Sequence, residues 1–335
     1  MNLHQTIEPY DVEAIRAEFP ILAREVYGKP LVYLDNAASA QKPRAVIDAM
    51  VRTMETGYAN VHRGLHFMAN AATEAFEEAR ESVRAFLNAG SVEEIVFTKS
   101  ATEAINLVAA SFGRLAIREG DEVVLSIMEH HSNIVPWHFL RERQGAVLKW
   151  APVDDQGEFL IEEFEKLLSP RTKIVAITHM SNVLGTVTPI REIVRIAHAR
   201  GIPVLVDGSQ GAVHLDVDVR DMMALGRDRI RAHEHALSAY AHERLRAMNS
   251  LRIIGDARDK GAIISFEMKG AHAHDVATVV DRQGVAVRAG THCAMPLLER
   301  FGATSTCRAS FGLYNTMAEV DKLAEALQKA ETLFG

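Results

Sequence analysis

The chain has 335 residues, enough for about two domains, and 48% hydrophobic against 24% charged residues with no low-complexity tract places it among ordinary globular proteins rather than disordered ones. Its formal charge of −7, without any basic block, removes the electrostatic footprint of a nucleic-acid binder. No apolar run is long enough to cross a bilayer, and the start Met1-Asn2-Leu3-His4-Gln5 lacks a charged segment leading into an apolar one, so a cytoplasmic protein is expected.

Along the chain, residues 43–54 read as a helix opened by proline in its first turn, and 70–87 as an amphipathic helix. Four short β-branched runs follow, at 95–98, 122–127, 173–179 and 203–207, each leading through a turn into a helical pattern. One such helix is 188–200, closed by Gly201. Alternation of this kind predicts βαβ units in an open, mostly parallel sheet. After Met222 the character changes to a long Arg- and Ala-rich helix, 224–248, then strands 251–254 and 262–268, helix 273–282 and strands 285–288 and 306–311. A final helix starts at the capping box Thr316-x-x-Glu319. The reading is an α/β chain with a large domain over 20–222 and a smaller α+β domain from 1–19 plus 223–335.

In open α/β sheets ligands gather at the carboxyl ends of strands. The first run ends in Lys99-Ser100-Ala101-Thr102-Glu103, where a capped helix start offers free N–H groups suited to a phosphate; a capped helix that binds nothing has the same pattern. The second ends in Met128-Glu129-His130-His131-Ser132-Asn133, giving an imidazole that can stack on a ring or move a proton, or else a solvated turn. The third ends in His179-Met180-Ser181-Asn182, whose amide can donate to a phenolic oxygen or simply form a turn. The fourth ends in Asp207-Gly208-Ser209-Gln210. A carboxylate there is costly unless paired with a cation, and the protonated pyridine nitrogen of pyridoxal 5'-phosphate is such a cation.

Two cysteines occur, Cys293 and Cys307, with no Cys-x-x-Cys, which disfavours both a disulfide framework and a structural zinc. The histidine pairs His130-His131 and His272-x-His274 have no acid or thiol at ligand spacing, so no metal is expected. Cys293 lies in Arg288-Ala289-Gly290-Thr291-His292-Cys293-Ala294-Met295-Pro296, where glycine and proline favour an irregular loop and His292 can share a proton with the sulfur. It is either a reactive thiol or a small buried hydrophobe.

These residues, together with Tyr33-Leu34-Asp35-Asn36-Ala37-Ala38, Asn60-Val61-His62-Arg63-Gly64, Met128 through Trp137, Val206 through Gln210 and Cys307-Arg308-Ala309-Ser310, resemble the SufS-type (group II) cysteine desulfurases. That group lies within the class V aminotransferase-like enzymes of pyridoxal-phosphate fold type I, and the resemblance covers nearly the whole chain. It implies that His130 stacks on the cofactor, Asp207 meets its nitrogen, Asn182 and Gln210 contact its phenolic oxygen, and Ala101 and Thr102 hold its phosphate. Arg308, with Asn36 and Ala37, would hold the substrate, L-cysteine. Cys293 would take its sulfur as a persulfide, leave alanine, and pass the sulfur to an acceptor protein of the SufE/SufU type for iron–sulfur cluster assembly. The resemblance also implies a homodimer.

One departure stands out. The family's Schiff-base lysine, in a Ser-x-His-Lys stretch beyond the aspartate, has no counterpart, since no lysine occurs between Lys173 and Lys260. The chain passes from Arg220 straight into Asp221-Met222-Met223-Ala224. Either the 335 residues omit part of a longer chain, which the intact site residues favour, or the deletion is genuine and the protein is an inactive, repurposed paralogue serving as a binding or scaffold subunit. A selenocysteine lyase shares the scaffold and is the nearest enzymatic alternative.

Overall fold

The computed structural model describes residues 10–215, 217, 219 and 228–334, the side chains of 228–231 excepted. A short strand, β1 (Val32–Tyr33), precedes helix α1 (Arg44–Arg52), which follows Pro43 and passes into a wider turn over Thr53–Gly57. Helix α2 (Phe67–Phe86) starts three residues earlier than its apolar pattern indicates, because the His66 side chain accepts the Ala69 N–H and caps it. Residues 95–98, expected as the first strand, carry no ladder among the described residues. Val96 and Phe97 are exposed there. Strand propensity is realised only against a partner, and this run meets none among the described residues.

Helix α3 (Ala101–Val108) leads to β2 (Glu122–Ser126), buried at every position, then α4 (Val135–Gln144), β3 (Val147–Ala151), α5 (Ile161–Leu167) and β4 (Thr172–Thr178). Next come α6 (Ile190–His198), β5 (Val204–Asp207) and a single turn, α7 (Gly211–His214). The four strands form a parallel sheet in the order β3-β2-β4-β5. Its faces sort by the two-residue strand period. Val123, Leu125, Ile174 and Ala176 pack with Ile105, Trp137 and Leu140, whereas Val124, Val175 and Ile177 pack with Phe164, Ile190, Ile193 and Ile196. Both faces are covered, which is why these strands read as continuous apolar runs.

The expected start of the long helix at 224, and the junction near 221–223, lie outside the described residues. Helix α8 is described as Asp228–Arg246 and is followed by β6 (Leu251–Ile254), β7 (Ile263–Met268) and α9 (Ala273–Asp281). The run read as one strand over 285–288 is two. β8 (Val285–Ala286) pairs in parallel with β1, and β9 (Arg288–Gly290) pairs with the later β10. Helix α10 (Met295–Arg300), β10 (Thr306–Ser310) and α11 (Met317–Phe334) complete the chain.

The second sheet is antiparallel in the order β9-β10-β7-β6. Its core joins Phe266, Ala309, Phe311, Val276 and Leu323 with Val32 and Leu34 from the early chain. At the start of α11 the capping box forms in both directions: the Glu319 N–H donates to Thr316 Oγ1 at 3.3 Å, and Glu319 Oε2 accepts the Thr316 N–H at 2.9 Å.

Candidate active site

The carboxyl ends of β4 and β5 stand side by side, Thr178 paired with Asp207, and the loops after β2, β4 and β5 open into one cavity of about 500 Å³. All ten residues singled out from the sequence line it: Asn36, Ala37, Ala101, Thr102, His130, Asn182, Asp207, Gln210, Cys293 and Arg308. The second sheet supplies the last two, so the cavity is closed by residues more than 80 positions from β5 in sequence.

Asp207 is nearly buried, and its Oδ1 accepts both the Ser209 N–H at 3.0 Å and the Ser209 hydroxyl at 2.6 Å, leaving Oδ2 for a cation. The His130 ring is held by Ser132, whose N–H donates to Nδ1 at 3.1 Å. Burial pushes the imidazole pKa down, with Asp207 opposing, so a neutral ring faces the cavity. Beneath it Glu129 is fully buried, accepting the Thr178 N–H at 2.9 Å and Asn133 Nδ2 at 2.7 Å. Burial pushes its carboxyl up to about 7, and the negative charge of Asp207 adds to the effect.

Asn182 Nδ2 donates to the His292 carbonyl at 2.8 Å, and Gln210 Nε2 to the Ala37 carbonyl at 2.8 Å. Both amides therefore tie pocket walls together. Arg308, 2% exposed, donates from Nη1 to the Asn182 carbonyl at 2.9 Å and from Nη2 to Asp35 Oδ1 at 3.1 Å. Its Nε is buried without a partner, an orphan that an incoming carboxylate would satisfy.

The Cys293 loop is irregular, as its glycine and proline indicate, and goes further: Gly290 has φ 131, and His292 and Cys293 adopt left-handed φ values of 51 and 55. Non-glycine residues in that region are uncommon and are held there by surrounding contacts. The Cys293 carbonyl accepts the His131 N–H at 2.8 Å. Cys293 itself is half-buried.

The expected proton exchange between His292 and the sulfur is absent. The His292 Nε2 pairs with Thr306 Oγ1 at 2.9 Å, while Nδ1 is buried without a partner. Burial pushes the ring down to about 3, with Arg308 adding, so it stays neutral. Cys307 is buried, its sulfur against the Ala273 carbonyl at 3.1 Å and its thiol pushed up by burial to about 12.

These residues fit pyridoxal phosphate at three of its parts. The free Asp207 oxygen suits the ring nitrogen, the neutral His130 the ring face, and the exposed start of α3, capped through Ser100 Oγ, the phosphate. Among the described residues, no lysine lines the cavity. Asp35 and Glu129 also belong to the site. The signals in the sequence were an acid directly after Tyr33-Leu34 and another three residues past the apolar run of β2, because a carboxyl at the end of an apolar run needs partners.

The family model "Aminotransferase class-V" matches the chain over residues 32–224 and 222–323. A probable cysteine desulfurase of Halalkalibacterium halodurans is 40% identical over 413 aligned positions, covering 100% of this chain and 99% of the relative. A probable cysteine desulfurase of Mycolicibacterium paratuberculosis is 38% identical over 96% of this chain, which spans 58% of that longer protein. Among solved structures, the Escherichia coli cysteine desulfurase CsdA in S-sulfonic acid form superposes with TM-score 0.87 at 29% identity, over 98% of this chain and 100% of that one. The 413 aligned positions exceed the chain's 335 residues, and the two matched stretches meet at 222–224, so the relatives carry positions without a counterpart here. With its parallel core sheet, antiparallel C-terminal sheet and these matches, the chain belongs to the class-V aminotransferase family, among its cysteine desulfurases.

Proposed function

We propose that the protein is a pyridoxal-phosphate-dependent cysteine desulfurase that converts L-cysteine to L-alanine and receives the sulfur on Cys293. The observation that carries this reading is the meeting, in one cavity, of a half-buried thiol, a buried arginine with an orphan Nε and a strand-end aspartate with a free oxygen. A transaminase needs the last two and leaves Cys293 without a task. When bound, pyridoxal phosphate supplies the electron sink that loosens bonds of the bound amino acid. Asp207 would hold a proton at the ring nitrogen, and His130 would serve at the ring face as a neutral acid–base group. Arg308, with Asn36 and Ala37, orients the carboxylate. The Cys293 thiolate attacks the substrate sulfur, so that an S–S bond forms as the C–S bond breaks, and a proton taken up at carbon leaves alanine.

The reading extends to a sulfur-acceptor protein of the SufE/SufU type in iron–sulfur cluster assembly, a cytoplasmic setting, a homodimer and the division into domains 20–222 and 1–19 plus 223–335. It also requires an amine to anchor the cofactor, which the interior stretch without a counterpart would supply. Incubation of the protein with pyridoxal phosphate and L-cysteine is expected to release alanine, and Cys293→Ser to stop it. Unchanged turnover in Cys293→Ser would refute the nucleophile assignment. Intact mass separates the two accounts of the lysine, since a mass of 37.0 kDa means that the deletion is genuine. In that case the absence of a lysine from the described cavity lining favours a second reading, a non-catalytic subunit that binds the acceptor and releases no alanine. Selective turnover of selenocysteine after Cys293→Ala would favour a selenocysteine lyase.

A further inference from the structure

The antiparallel register sets Arg288 of β9 directly opposite Arg308 of β10, and both line the cavity beside Cys293. Directly opposed side chains share a face, and like charges so placed repel. Asp35 resolves the conflict. The segment after β1 forms a parallel bridge between Asp35 and Ser310, which brings the acid alongside the end of β10. Its Oδ1 lies 3.1 Å from Arg308 Nη2 and its Oδ2 3.9 Å from Arg288 Nη1. One carboxylate thus spans two guanidinium groups from two strands. Its influence reaches Tyr33 as well, whose hydroxyl is pushed up first by burial and then by the Asp35 charge.

We propose that Asp35 is a specificity-determining residue that trims the charge of the substrate-carboxylate subsite. Two guanidinium charges against one carboxylate leave a single positive charge, matched to an amino acid carrying one free carboxylate rather than two. The proposal rests on the desulfurase reading for the identity of the ligand, but the charge itself is measurable without cofactor or turnover. Cys293 sits in the same cavity as both guanidinium groups, so its reaction with charged reagents reads the charge around it. Cys307, buried with its thiol pushed up to about 12, does not compete for alkylating reagents.

The test compares alkylation of Cys293 in the full chain by anionic iodoacetate and neutral iodoacetamide, each taken to its high-pH plateau and located by peptide mass. The neutral reagent reports exposure, and the ratio of the two reports local charge. Asp35→Asn is expected to raise the iodoacetate-to-iodoacetamide ratio about threefold or more at low salt, an effect that shrinks in 1 M salt. Asp35→Glu should keep the wild-type ratio, and Arg308→Met should lower it. An unchanged or lowered ratio in Asp35→Asn would overturn the proposal. So would an equal rise in both rates, which would mean that Asp35 only holds the loop in place. Failure of the desulfurase reading registers separately, as absence of alanine.

Discussion

Glu129 links the ends of β2 and β4 beneath the His130 turn, and its burial makes a pH signature. Its folded pKa of about 7 lies above the ordinary 4.5, so the protonated form is the one the fold favours. The resulting stability is fully present below pH 4.5 and is lost as pH rises through 7. The stability of wild type relative to Glu129→Gln should therefore fall by on the order of 3 kcal/mol between those limits, read from denaturant midpoints across pH. A flat difference would remove Glu129 as the titrating group. His292 makes the opposite case, since its neutral ring does not serve the neighbouring sulfur. His292→Gln is expected to leave the shape of the Cys293 alkylation profile between pH 5 and 8 unchanged, measured with iodoacetamide. Asp207, Asn182 and His130 were legible because an acid, an amide and an imidazole each follow an apolar run, where a bare polar group needs a reason, whereas Arg308, Asn36 and Ala37 were marked only by the family resemblance. Asp35 and Arg288 were not legible, because their meaning depends on which strand lies opposite.

Pairing decides the elements in the same way. Strand β6 matches the expected 251–254, and β4 departs from its expected run by one residue at each end. Residues 95–98 are equally β-branched and aromatic but pair with no strand among the described residues, and 285–288 divides where the chain leaves β1 for β10. Neither outcome is written locally, since a ladder is a contract between distant segments. Capping, by contrast, is local and was read correctly at α11. Thr316→Ala should cost about 1 kcal/mol of stability by denaturant unfolding. Glu319→Ala should cost more, about 2–4 kcal/mol, because Glu319 is nearly buried and also accepts Arg16 Nη1 at 2.9 Å and Asn315 Nδ2 at 3.1 Å.

At the scale of the molecule, α1, the turn after it and the start of α2 leave large apolar side chains in water. Met54 is 75% exposed, Tyr58 80%, Leu65 99% and Phe67 82%. Four large apolar side chains so exposed within one stretch of sequence fit the proposed homodimer. The double substitution Leu65→Asp with Phe67→Asp is expected to shift sedimentation from dimer toward monomer, and an unchanged dimer would place the contact elsewhere. The Cys293 loop bears on the passage of sulfur. The His131 N–H holds the Cys293 carbonyl, and Asn182 Nδ2 holds the carbonyl before it, so the loop of the second sheet is sewn to strand ends of the first. Carrying the loop backbone outward means undoing both stitches, on the order of 1 kcal/mol each, and relaxing two left-handed residues as well. For the proposed transfer of sulfur, a loop pinned at both carbonyls would stay in place, and the acceptor would have to come to the thiol where it stands.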